Sequence, residues 1–509
     1  GCLRASATVG PMRLRSHAAT VFVSVAVLAG CGHAPAPQPT AAAPTPAPDT
    51  GYAATIRDRI TTDAMMAHLT KLQEIADANN GTRAMGTPGY QASVDYVANA
   101  LRGKGFDVQT PEFEVRLPFA EDPVLTVAGA RVTAKPLNYT IGTPDGGVSG
   151  PLVVARADDT PGCAESDYDG LPVQGSVVLV NRGSCPFGDK QSVAAKRGAL
   201  ALIVANNVDG DEFGATLGEG TDVKIPVVSV TKAEGARLRA APGPVTMTMK
   251  AGVNVERTRN VIAQTKTGSA ADVVMVGAHL DSVPEGPGIN DNGSGTAAVL
   301  ETALQMGSSP DVRNAVRFGF WGAEELGTLG STNYISTLGV DQLKDIALYL
   351  NFDMLASPNP GYFTYDGDQS LPPDKDGGVP RVPEGSAGIE RTLVAYLDGA
   401  GKPAEDTSFD GRSDYDGFTK AGIPSGGLFS GAEVDMTEEQ AQRWDGKANE
   451  PFDSNYHKAT DTLDHIDRTS LDIQGKGVGY AVALYAQDQR GRNGVPVRDD
   501  RTRHTLSGS

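Results

Sequence analysis

The chain has 509 residues, which at about 150 residues per domain allows two or three domains with sizeable cores. Hydrophobic residues make up 39% and charged residues 21%, and no internal repeat is present, which excludes collagen-like, coiled-coil and polytopic membrane classes. Asp+Glu number 62 against 44 Lys+Arg, a net charge of −18. Such a surface repels phosphate backbones, so nucleic acid is excluded as a partner.

Arg13 and Arg15 precede an apolar run over 18–27 that closes in Leu28-Ala29-Gly30-Cys31. A charged flank, a short apolar stretch and small residues before a cleavage point make residues 1–31 an export signal. The run is too short to span a bilayer. Leu-Ala-Gly-Cys resembles the lipobox of bacterial lipoproteins, which implies a lipid on Cys31. The expected location is the outer face of the cell membrane, held through the lipid alone, with some protein released. Residues 32–50, rich in Ala and Pro, read as an extended tether.

The folded part starts with two helices. Met65, Met66, Leu69, Leu72 and Ile75 recur at helical spacing behind a cap at Asp63. The second opens at Thr87-Pro88, buries Val94, Val97 and Leu101, and stops at Gly103 and Gly105. Over 118–255 the pattern becomes short β-rich runs: Leu152–Val154, Val177–Val180, Leu200–Val204 and Ile225–Val230. This stretch has no histidine and suits packing or access rather than chemistry. It holds Cys163 and Cys185, for which a disulfide is expected over two free thiols or half a metal site, since no C-x-x-C or histidine cluster accompanies them.

From 256 strands and helices alternate. Val273–Val276, Val316–Phe320 and Ile346–Phe352 read as strands buried on both faces; Gly295–Met306, Ile389–Leu397 and Val478–Gln487 read as helices. The expectation is a three-layer α/β/α domain with a central mixed, mainly parallel sheet, built from 51–117 and 256–488 around the inserted 118–255. The polar residues 489–509 read as a disordered tail.

Sites in open α/β sheets form beyond the carboxyl ends of the strands, and here each strand runs into ligand-type residues. Val273–Val276 leads to His279-Leu280-Asp281, Val316–Phe320 to Glu324-Glu325, and Ile346–Phe352 to Asp353; Asp291 lies in a loop before a helix, and His457 follows Tyr456. Two histidines with three carboxylates are the donor set of a two-metal site for a cation such as Zn²⁺. Two Zn²⁺ would be neutralised by Asp291, Glu325, Asp353 and one bridging hydroxide. Glu324 is then left beside a ligand, placed to act as general base, and the Asp281 carboxylate is expected to accept the second imidazole N–H of His279. His68 reads as structural, and His465 ranks behind His457 as a ligand.

His279-Leu280-Asp281, the Gly288–Gly295 run GINDNGSG, the Trp321–Gly330 run WGAEELGTLG, Asn351–Met354 and Tyr456-His457 together resemble the bacterial dizinc aminopeptidases of the glutamate carboxypeptidase II and transferrin receptor superfamily. The resemblance implies two Zn²⁺ per chain on His279, Asp291, Glu325, Asp353 and His457, with Asp291 bridging. It implies Glu324 as base, Tyr456 as stabiliser of the oxyanion, and Arg412, Phe429 and Met354 as substrate contacts. Residues 118–255 resemble a protease-associated domain through Cys163, the 181–187 run NRGSCPF, Lys190 and Gly198-Ala199. Some relatives carry a disulfide flanking the Tyr-His pair; here those neighbours are Asn455 and Thr460.

The absence of G-x-S-x-G and of H-E-x-x-H argues against a serine hydrolase and a zincin. The expected activity is stepwise removal of neutral, mainly hydrophobic, Leu-like residues from peptides with a free N-terminus, by a monomer. The alternatives are a carboxypeptidase or glutaminyl cyclase of the same superfamily, or a catalytically silent surface receptor.

Overall fold

A computed structural model of the chain describes residues 50–156, 159–211, 213–372 and 382–506. The export signal with Cys31, and the tether as far as residue 49, lie outside the described residues. No helix among the described residues is long and apolar enough to cross a membrane.

The first helix, Thr50–Arg59, was not anticipated. It buries Ala53 and Ile56 against the long helix Arg468–Gln487, where Gly479 leaves room for Ile60. Helix Thr62–Asp77 is capped by Thr61 rather than Asp63: the Thr61 hydroxyl accepts the Ala64 N–H at 3.1 Å. Asp63 instead sits in the first turn and accepts from Arg468 at 2.7 Å. Helix Pro88–Gly103 starts as read, with the Thr87 hydroxyl accepting the Tyr90 N–H.

The main sheet has eight strands in the order Val108–Gln109, Val261–Gln264, Asn314–Trp321, Ser269–His279, Ile346–Phe352, Ser425–Phe429, Phe363–Tyr365 and Glu405–Thr407. The middle four, from Asn314–Trp321 to Ser425–Phe429, are parallel and meet antiparallel neighbours on both sides. The strands alternate with the pleat. Val274, Val276 and Ala278 face a core shared with helices Thr50–Arg59, Thr62–Asp77, Pro88–Gly103, Gly295–Met306, Ser386–Gly399 and Arg468–Gln487. Val273 and Met275 face a second core with helices Leu329–Ser336, Val340–Asp345 and Tyr415–Lys420. Three layers follow, with both sheet faces apolar because both are covered.

A second eight-stranded sheet lies within the inserted region, and its parallel strands are Val148–Val154, Val177–Asn181, Ala201–Ala205 and Val227–Val230. Parallel neighbours need crossovers, and two helices missed by the β-rich reading, Phe187–Lys196 and Lys232–Ala240, lie between and after these strands. Cys163 and Cys185 are bridged, with Cα atoms 6.0 Å apart. The chain leaves and re-enters the main domain through one antiparallel ribbon, Glu112–Ala120 against Ala251–Arg259. The expected boundaries near 118 and 255 fall inside this ribbon. Phe113 and Val115 of the ribbon pack on Ala323 and Leu329, beside Glu324 and Glu325.

The expectation of a disordered tail is corrected over 489–506. Arg501 donates to the carbonyls of Ala271 and Lys344 and to Asp272, and Arg503 to those of Leu343, Gly422 and Ile346. Both guanidinium groups are buried against the amino ends of the strands, satisfying carbonyls there.

Candidate metal centre

His279 is the last residue of its strand, Trp321 ends the parallel neighbour on one side and Phe352 the neighbour on the other. Register pairs His279 with Trp321 and Gly277 with Asn351, so His279, Glu324 and Asp353 emerge side by side. Asp291 arrives from the loop preceding helix Gly295–Met306, and His457 from the loop before the C-terminal helix. Ala323, Met354 and His457 adopt φ of +57°, +60° and +55°, a sparsely populated region for residues with a Cβ that marks where the chain turns to aim these side chains.

The donor atoms form two adjacent groups. His279 Nε2 lies 3.2 Å from Asp291 Oδ1 and 3.3 Å from Asp353 Oδ1. His457 Nε2 lies 3.2 Å from Asp291 Oδ2 and 3.0 Å from Glu325 Oε2. Asp291 thus offers one oxygen to each group. Glu324 Oε2 stands further from His279 Nε2, at 3.7 Å. Asp353 Oδ1 and Glu325 Oε1 are buried without a hydrogen-bond partner, which is costly for carboxylate oxygens unless a cation takes them.

The electrostatics agree. Burial pushes the Glu325 carboxyl up to about 8, with the Asp291 charge adding to it. Burial opposes charge on His457, but hydrogen bonds to Asp291 and Glu325 outweigh it and raise the imidazole to about 10. Crowded carboxylates with too few cations are what a divalent metal would relieve. Two groups of donor atoms lie close enough together to hold a metal ion, His279 with Asp291 and Glu325, and His279 with Glu324 and Asp353.

One expected contact is corrected. His279 Nδ1 is 3.0 Å from the Asp281 backbone carbonyl and 3.7 Å from its carboxylate. That carboxylate is engaged by the Glu324 and Glu325 N–H groups, at 3.1 and 3.3 Å, and so holds the Glu-Glu turn. His465 is exposed and bonded to the Thr460 carbonyl, away from the centre, and His68 is buried between Tyr96 and Glu301.

Beside the two groups opens a cavity of about 350 Å³, lined on its apolar side by Met354, Phe363, Phe429 and Phe452. Phe363 meets Phe452 edge-on at 5.3 Å. The Tyr456 ring stacks on His457 at 3.8 Å, and its hydroxyl accepts from Arg412 at 3.1 Å. Arg412 is ion-paired with Glu433 at 3.0 Å. Without a flanking disulfide, this contact and the ring stacking position Tyr456.

Four positioning groups had little or no readable signal in the sequence. Arg83, fully buried, donates to the carbonyls of Leu280, Pro287 and Gly288, tying the two loops that follow His279 and precede Asp291. Asp461 accepts the Asn290 and Asp291 N–H groups at 2.8 and 3.0 Å, and Asp453 accepts from the Asn290 amide at 2.7 Å. Asp461 lies four residues after His457, which was its only sequence clue. Ser413 Oγ donates to Asp353 Oδ2 at 2.5 Å.

A three-layer α/β domain with paired imidazoles and carboxylates at its strand ends defines a metal-dependent hydrolase. The chain belongs to peptidase family M28, whose family description matches residues 260–482, and a PA domain description matches residues 148–238. It is therefore a hydrolase of peptide bonds. It is 69% identical over 456 residues to the "Probable lipoprotein aminopeptidase LpqL" of Mycobacterium tuberculosis, covering 90% of this chain and 91% of that one. It is 39% identical to leucine aminopeptidase 2 of Arthroderma otae, covering 86% and 87%. Among solved structures it is similar to a zinc aminopeptidase from Bacillus subtilis, with a TM-score of 0.55 and 26% identity, covering 86% of this chain and 98% of that one.

Proposed function

We propose that this peptidase is a two-zinc aminopeptidase that removes neutral, mainly hydrophobic residues from the N-termini of peptides. The observation that carries the reading is Asp291 set between two imidazoles, 3.2 Å from each, at the mouth of an apolar cavity. Zinc, when bound, supplies Lewis-acid polarisation of the scissile carbonyl and acidifies a water so that hydroxide is available near neutral pH.

The chain's own groups divide the remaining work. Glu324, buried and 3.7 Å from the His279 imidazole, takes the proton of the attacking water and returns it to the leaving amine. The Tyr456 hydroxyl, held by Arg412, donates to the developing oxyanion. Met354 and Phe429 receive the side chain of the N-terminal residue.

Charge supports the choice of terminus. Asp291, Glu324, Glu325, Asp353, Asp410, Glu433 and Asp435 line the cavity, against a single arginine already paired with Glu433. That field suits an ammonium, whereas a terminal carboxylate needs an available Arg or Lys. The names of the mycobacterial and fungal relatives point the same way. Attachment through a lipid on Cys31 at the outer membrane face belongs to the same reading, supported by the lipobox-like sequence and the mycobacterial relative's name.

The test is metal analysis of the purified protein with Leu-p-nitroanilide and its N-acetylated form as substrates. Two zinc ions per chain and cleavage of the free amine alone are expected. Equal cleavage of the acetylated compound, or full turnover by metal-free protein, would overturn the assignment.

A further inference from the structure

The second sheet carries a cleft that the proposed peptidase chemistry does not use. It has a volume of about 590 Å³ and opens at the carboxyl ends of the parallel strands Val177–Asn181 and Ala201–Ala205. In open parallel sheets this edge is where ligands bind. Here its lining is polar and cationic, in a chain of net charge −18.

Arg182, Lys232 and Arg239 line it together with Asn181, Asn206 and Ser184, against one carboxylate, Asp159, and Lys232 is ion-paired with Asp209 at 3.3 Å. Among the described residues neither arginine has a carboxylate partner. Arg239 is half-buried and donates only to the amide oxygen of Asn181, and burial depresses its pKa. Arg182 donates to the buried Asn206 amide oxygen at 3.3 Å and lies 4.7 Å over the Phe213 ring. The wall bearing Arg182 is stapled by the disulfide from Cys185 to Cys163. Among the described residues, two guanidinium groups are thus held in place by neutral partners, with no carboxylate paired to either.

We propose that this cleft binds a carboxylate-bearing peptide segment, a glutamate or aspartate side chain or a free C-terminus, at a site separate from the metal centre. Guanidinium forks match carboxylates in shape as well as charge. The site would give the peptidase a second hold on acidic polypeptides.

The probe is a fluorescent, N-acetylated peptide ending in three glutamates, compared with its amidated glutamine counterpart on the intact holoenzyme. The acidic peptide should bind at least about tenfold more tightly, and the double variant Arg182→Gln/Arg239→Gln should lose that margin while hydrolysing Leu-p-nitroanilide as before. Lys232→Glu, a change at an exposed position, should weaken binding in the same direction and guards against misfolding of the double variant. Equal binding of the two peptides would overturn the proposal. So would unchanged binding by Lys232→Glu, competitive inhibition of Leu-p-nitroanilide by the acidic peptide, or its complete displacement by inorganic phosphate at equal concentration.

Discussion

Arg83→Met should damage stability and the metal centre together. The guanidinium is fully buried and donates to three carbonyls, those of Pro287 at 2.8 Å, Leu280 at 2.5 Å and Gly288 at 2.8 Å. Burial lowers its pKa to about 10, with Asp281 the largest opposing charge, so it stays charged at neutral pH. Hydrogen bonds to a charged group are worth roughly 1.5–3 kcal/mol each, and desolvation of the guanidinium offsets part of that sum. Methionine fills similar space but leaves the Leu280 and Pro287 carbonyls buried and unpaired, while Gly288 keeps the Gly293 N–H at 3.0 Å, so a net loss of about 3–5 kcal/mol is expected. In urea, followed by circular dichroism, the midpoint should fall by about 1–2 M. Zinc content should fall as well, because the clamp sets the path between His279 and Asp291. Arg83→Lys should recover only part, since an ammonium cannot span the same acceptors. An unchanged midpoint with full zinc in Arg83→Met would refute the clamp.

Glu324→Gln should retain both metals while kcat falls by about 10²–10⁴, whereas Asp291→Ala should lose metal; plasma emission analysis beside steady-state kinetics separates the two. Arg412→Gln should lower kcat about tenfold with little change in KM, as Tyr456 loses its partner at 3.1 Å; an effect confined to KM would place Arg412 on the substrate instead. Glu390 supplies a pH signature. Burial, with Asp368 and Asp406 adding to it, raises its carboxyl from 4.5 to about 7. The folded chain therefore holds a proton that the unfolded chain releases, and this group's contribution to stability falls as pH rises from 4.5 to 7. Glu390→Gln should flatten the melting temperature over that range and raise it at pH 8; a variant with the wild-type slope would show that another group titrates.

The sequence by itself determined the three central strands of the main sheet, five of the main-domain helices and the candidate ligands, because these write periodic or chemically distinct residues into short windows. Val274, Val276 and Ala278 announce a buried strand, and the polar residues that follow it announce a site at its end. His279, Asp291, Glu324, Glu325, Asp353 and His457 were all legible this way, as was the Cys163–Cys185 pairing. What only the tertiary structure decided was how those residues are held. Arg83 and the ligand loops are about two hundred positions apart in sequence, and no local pattern marks an arginine whose partners are backbone carbonyls. Arg501 and Arg503 read as a solvated tail for the same reason, since the strand-end carbonyls that bury them lie 81 to 230 positions away. The Asp281 carboxylate shows the limit most sharply. Its position beside His279 was readable, but its engagement by the Glu324 and Glu325 amides depends on two parallel strands ending at the same level, which register alone decides.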